Sequence, residues 1–330
     1  MSLTSCLDDP GSPISRLLSL ELPAVTALAG AFRSGLSRSR DTMRPQGTGP
    51  FSYRTLGQAV DLRLRIAFGT PVGSPVFSGI VLTARILADV HSPAEALAAA
   101  RVGQELLDEL KAQPPAPPGH MLREAAAEER LARLCFVAAW FESVFRGGMY
   151  AGHPLMHADF SGGLEGVMGT VPDYVPDDLA AQTALADRPD ALQWVLASPK
   201  EERVCGPTFA GSNHVGGADA DFVVSGRLID CKATIHPQRI SRDQLYQLAG
   251  YLLLDYDNRY GIERVGLYLS RQGQLIEWEA EEFLRLLGAR RPLPELRRAC
   301  RTVLTSLAGP VRLPPPRQAG FEQEGLFSTD

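Results

Sequence analysis

The stretch Gly216-Gly217-Ala218-Asp219-Ala220-Asp221-Phe222-Val223-Val224-Ser225-Gly226-Arg227-Leu228-Ile229-Asp230-Cys231-Lys232 decides how this chain is read. Two short strand-like runs flank Ser225-Gly226, and a two-residue loop between such runs signals a β-hairpin. That loop fixes a register: Val224 opposes Arg227, Phe222 opposes Ile229 and Asp221 opposes Asp230. Side chains alternate along a strand, and directly opposed residues share a face. Asp219, Asp221, Asp230 and Lys232 therefore fall on one face. Phe222, Val224, Ile229 and Cys231 fall on the other, an apolar face for the core.

Three carboxylates on one face repel. Opposed Cβ atoms lie roughly 5 Å apart, and at an effective dielectric near 20 two unit charges about 5 Å apart repel by roughly 3 kcal/mol. Lys232 offsets part of this. A divalent cation would offset more, and oxygen donors suit Mg²⁺ or Mn²⁺. The plainer reading is a solvated hairpin with Lys232 paired to an aspartate.

The next segment, 241–257, has helical spacing. Ser241-Arg242-Asp243-Gln244 is a capping box, and Gln247 and Tyr251 lie four apart on one helical face. A D…D-x-K hairpin followed by a Q-x-x-x-Y helix resembles the PD-(D/E)XK nuclease superfamily, and most of all its RecB-like branch, over roughly residues 204–278. The resemblance implies an α/β (α+β) fold with a restriction-endonuclease-like core, a mixed central sheet flanked by helices. It implies a metal-dependent nuclease that hydrolyses phosphodiester bonds, with DNA ahead of RNA as the nucleic-acid partner. Asp221, Asp230 and the backbone carbonyl of Cys231 would hold Mg²⁺ (or Mn²⁺), which lowers the pKa of a bound water and binds phosphoryl oxygens. Lys232 would orient that water and stabilise developing charge. Gln247 and Tyr251 would position Lys232 or the nucleic-acid backbone.

Two ligands stay open. Asp219 is the alternative to Asp221 as first aspartate. Family members often add a glutamate from an earlier helix, and Glu142, at the edge of an apolar stripe, is the candidate here; its plainer reading is a surface residue. The sequence also departs from the family pattern. Ala220 replaces the proline before Asp221, and Cys231 takes the variable position, where it reads as core and not as a nucleophile. Bacterial defence and DNA repair are the settings the resemblance suggests. The alternative is a catalytically inactive module of this fold that binds nucleic acid or a protein partner.

Working outward, strands are expected over 264–269 and 274–278, and helices over 280–287 and 293–307. Upstream, helical spacing covers 17–31, 56–68, 76–89, 93–112 and 121–145. In 56–68, Val60, Leu64 and Ala67 share a face, with Arg63 and Arg65 off it. Gln113-Pro114-Pro115-Ala116-Pro117-Pro118-Gly119 is a spacer. The chain thus divides into a mainly helical region, 1–112, which could recognise a protein partner, a proline-rich linker, 113–120, a nuclease-like domain, 121–308, and a polar tail, 309–330, expected to be disordered. Arg33, Arg38, Arg40 and Arg44 form a basic run that reads either as a solvated loop or as a phosphate contact.

Composition bounds the rest. With 330 residues, 45% hydrophobic and 22% charged, the chain can bury a sizeable core. A net charge of −5 argues against an extended basic surface but not against a local groove. Five scattered cysteines without a C-x-x-C pair exclude a disulfide framework or zinc ribbon and fit a reducing cytoplasm. No apolar run is long enough for a membrane span, and the N-terminus is a poor signal peptide. Abundant Ala, Arg, Gly and Pro is the usage of GC-rich bacterial genomes. His153 and His157 lie four apart, and His214 and His236 flank the hairpin, so a zinc set is conceivable; the Gly-Pro loop around His153 counts against it. Gly211 to Gly217 lacks the G-K-[ST] of a P-loop, and no serine-hydrolase elbow is present.

Overall fold

A computed structural model describes residues 2–37, 40–47, 51–70, 73–113 and 116–306. Arg38 of the basic run, and the tail 309–330, lie outside the described residues. Three helices open the chain: α1 (Leu3–Asp8), α2 (Pro13–Glu21) and α3 (Val25–Gly35). The single helix expected over 17–31 is divided because Pro23 cannot donate a backbone hydrogen bond and disfavours helical geometry at Leu22. A helical block follows: α4 (Tyr53–Ala67), α5 (Ser74–Val90), α6 (Pro93–Ala112), α7 (Ala125–Gly147), α8 (Gly163–Gly169) and α9 (Tyr174–Ala186). Then come β1 (Arg203–Cys205), β2 (Phe222–Val224), β3 (Arg227–Lys232), α10 (Arg242–Leu254), β4 (Arg264–Leu269), β5 (Gln274–Glu279), α11 (Ala280–Leu286) and α12 (Leu293–Ser306).

The fold is mixed α/β. One five-stranded sheet runs in the order β1-β2-β3-β4-β5. Only the β3–β4 pair is parallel. Parallel neighbours need a crossover connection, and α10 supplies it. The hairpin has the expected register, Val224 opposite Arg227 and Phe222 opposite Ile229. Ser225 and Gly226 both have positive φ, 47° and 73°, which is the two-residue turn whose twist matches the flanking strands.

Side chains alternate as expected, but burial does not follow the expected division into one core face and one polar face. Phe222, Val224, Ile229 and Tyr268 pack on Val60, Leu64 and Phe68 of α4. On the opposite face Val223, Leu228, Val265 and Leu267 are also buried, against Leu3, Leu18, Leu248 and Leu284 from the terminal helices and α10. The hairpin is thus covered on both sides, and polar only at its two ends, Ser225 and Arg227 at the turn and Asp221, Asp230 and Lys232 at the other. A third, wholly helical core joins α4 through α9.

Hydrophobic cores cross the proline-rich stretch: α4, from before it, packs against β2 and β3, from well after it. Arg63 and Arg65 are not off the packed faces of α4 but 0% and 6% exposed. Arg63 donates to both carboxylate oxygens of Glu128, at 2.6 and 2.7 Å, and Arg65 pairs with Asp61 one turn earlier. Among the described residues no single helix is long and apolar enough to cross a membrane.

Candidate functional site

The ends of β2 and β3 open into a cleft of about 590 Å³. Its walls come from α10 on one side of the sheet, α4 and α7 on the other, and the loop before β2. The position follows from the hairpin: β2 starts only at Phe222, so the last residues of β3 have no strand beside them on that edge. Asp221 fills the gap, its Oδ2 accepting from the Cys231 N–H at 2.7 Å. A strand residue's N–H and C=O point to the same edge. The Cys231 carbonyl therefore faces the Asp221 side of β3, free of a ladder partner there.

Lys232 and α10 form one side. Ser241 and Gln244 make the expected capping box, which sets where the helix starts. One turn on, Gln247 Oε1 accepts from Lys232 Nζ at 3.1 Å, and Gln247 Nε2 donates to Tyr251 Oη at 2.9 Å. The amide is thereby held with its oxygen on the ammonium. Tyr251 stacks on Phe209, and burial, with Asp230 and Asp221 nearby, keeps its hydroxyl well above the usual tyrosine pKa. Burial opposes the charge on Lys232, yet Asp230 and Asp221 outweigh it and raise its pKa.

Asp230 is 2% exposed. Its Oδ2 lies 2.7 Å from Lys232 Nζ, a short charge-assisted contact. Burial raises its carboxyl to about 6, against the pull of Lys232 and with a push from Asp221.

The wall from α4 was not foreseen. Arg54, Gly57, Gln58 and Asp61 line the cleft, Gly57 and Gln58 each lying three or four residues from both Arg54 and Asp61, which puts the four on one helical face. That polar stripe beside Val60 and Leu64 was the available signal. At Gly57 the helix runs over the end of β3, where an added Cβ would meet Ala233 Cβ at 3.6 Å, an ordinary van der Waals contact. Asp61 binds Arg65 through Oδ2 at 2.8 Å, whereas Oδ1 is shut off from solvent and has no hydrogen-bond partner. Burial, with Asp221 and Glu142 close by, lifts this carboxyl to about 8 despite Arg65.

Glu142 is not the surface residue of its plainer reading; it is 6% exposed and faces the cleft from α7. Arg146 Nε donates to its Oε1 at 2.6 Å, and Arg146 Nη2 donates to Asp219 Oδ2 at 2.8 Å. Of the two open aspartates, Asp219 is thus neutralised by Arg146, while Asp221 points at the end of β3. Cys231 packs on the apolar face, and burial raises its thiol pKa well above the ordinary value, which suits core and not nucleophile.

The histidines do not gather. His153 Nδ1 accepts from the Leu155 N–H and its Nε2 contacts Ser143 Oγ at 2.8 Å, so both ring nitrogens are engaged. His157 turns to the Ala151 carbonyl, and His214 stacks on Tyr256. In the basic run, Arg40 is committed to Asp190 and the Gly273 carbonyl, and Arg33 to the Gln238 carbonyl.

Among the described residues no three His, Cys, Asp or Glu side chains converge as a ready-made metal cluster. The reason is local: Lys232 holds Asp230, Arg146 holds Glu142 and Asp219, and a backbone N–H holds Asp221. The donor set nonetheless fits a hard cation. Buried polar atoms normally have partners, yet Asp61 Oδ1 has no hydrogen-bond donor among the described residues, in a cleft lined by five carboxylates and three cationic side chains. No protein-family model, curated protein or solved structure matches the chain.

Proposed function

We propose that the cleft is the active site of a metal-dependent nuclease, built on a restriction-endonuclease-like core within the mixed sheet. The observation that carries this reading is the convergence of Asp221, Asp230 and the undersatisfied Asp61 on one cleft, with an ammonium fixed by Gln247 at the end of β3. Asp221, Asp230 and the Cys231 carbonyl would hold Mg²⁺ or Mn²⁺, and Asp61 adds a carboxylate from α4. Such an ion lowers the pKa of a bound water and neutralises phosphoryl oxygens.

The chain's own groups do the rest. Lys232 keeps its proton, so it serves as donor to the attacking water and to developing negative charge, not as a base. Gln247 holds that donor in place, and Tyr251 fixes the amide's orientation. The nucleic-acid backbone enters over Arg54 and Arg146, cationic groups of the lining. DNA is the substrate we favour, in bacterial defence or repair. Incubation with DNA and Mn²⁺ tests the reading: wild-type protein should cleave and Lys232→Ala should not. A module that only binds would shift DNA in a gel without cutting it.

A further inference from the structure

The cleft's carboxylates fall into two groups. Asp61, Asp221 and Asp230 surround the end of β3, where the buried Asp61 Oδ1 lacks a donor among the described residues. Glu142 and Asp219 come from separate elements, α7 and the loop before β2, and a single guanidinium joins them. Arg146 meets Glu142 through Nε at 2.6 Å and Asp219 through Nη2 at 2.8 Å. Both are charge-assisted bonds of the short, strong kind. The two neighbouring carboxylates hold the Arg146 pKa above even its ordinary value, although burial works against it. Its Nη1 makes no hydrogen bond among the described residues, and the side chain is 37% exposed toward the cleft.

Two-metal hydrolytic sites place a second ion roughly 3.5–4 Å from the first, held by further carboxylates. Here the further carboxylates already have their cation, one that does not lose its proton. A second divalent ion would have to break both arginine bonds. We infer that Arg146 takes the place of a second metal: the site binds one divalent ion, and the fixed guanidinium offers its free Nη1 edge to a phosphate oxygen. This rests on the metal-dependent reading of the same cleft.

Calorimetric titration of the full chain with Mn²⁺, in the absence of nucleic acid, tests it. Wild-type protein should bind one ion per chain. Arg146→Gln should bind two, since Glu142 and Asp219 lose their counter-ion, and Arg146→Lys should restore one. Two ions on the wild type, or still one on a folded Arg146→Gln, overturns the inference. No Mn²⁺ on the wild type instead overturns the metal-dependent reading beneath it. Glu142→Gln and Asp219→Asn keep the arginine and provide a check should Arg146→Gln fail to fold. Each should still leave one ion bound, and loss of the ion in either contradicts the assignment.

Discussion

Two buried charged sites, one just outside the cleft lining and one within it, are built on different terms. Arg271 and Asp178 are both fully enclosed, with side chains 0% exposed. Arg271 meets Asp178 through two bonds, at 2.8 and 3.0 Å, and adds the Ala233 carbonyl. Gln182 supplies a further donor to Asp178 at 2.8 Å. The pair is complete, as buried charge requires. Within the cleft Asp230 has Lys232 at 2.7 Å, but Asp61 in the same cleft keeps an Oδ1 with no hydrogen-bond donor among the described residues. The same chain satisfies buried charge where it only holds helix α9 to the sheet and leaves it unsatisfied where three elements meet around a cleft.

That contrast can be broken at either end. Asp178→Ala strands a buried guanidinium and should cost about 3–5 kcal/mol, read as a shift in the urea midpoint; Mn²⁺ binding by the folded fraction should be unaffected. Lys232→Ala should lower Mn²⁺-dependent cleavage by roughly 10²–10³-fold, the usual loss of one transition-state donor, with an unaltered circular dichroism spectrum.

Asp61 sharpens the comparison through pH. Its folded-state carboxyl titrates near 8 and that of Asp230 near 6, both above the ordinary aspartate value. Raised carboxyl pKa values mean that the folded state binds protons more tightly than the unfolded one. Metal-free protein should therefore be most stable below about pH 4 as far as these groups act, and lose that contribution as pH rises toward 8. Asp61→Asn should flatten the upper part of this slope and reduce the rise in Tm that Mn²⁺ produces. A wild-type Tm indifferent to pH between 5 and 8, once compared with Asp61→Asn, would contradict the charge account. The smallest effect belongs to Cys231→Ala, expected to cost about 1 kcal/mol of stability while leaving cleavage intact.

The hairpin was legible because each of its determinants is local. Ser225-Gly226 sets the turn, the turn sets the register, and alternation sets the faces. Gln247 and Tyr251 were legible for the same reason, their spacing on one helix. The α4 wall was not, because nothing near residues 53–67 says which distant element that helix will cover; Val60 and Leu64 announce an apolar face but not that Phe222 lies beneath it. The burial of Arg63 and Arg65 was hidden likewise, since their partners are Glu128 on another helix and Asp61 within a cleft only the assembled fold creates. Arg146 drew no notice at its helix end, because its role depends on a loop 73 residues away.

Cleavage by purified protein tests the central claim most directly. Wild type and Asp230→Asn are incubated with linear, circular and single-stranded DNA, with Mn²⁺ or with EDTA. The account predicts cleavage by the wild type with Mn²⁺ alone, and none by Asp230→Asn under any condition. Wild-type protein that leaves every substrate intact, or an Asp230→Asn variant that cuts as well as the wild type, would contradict it.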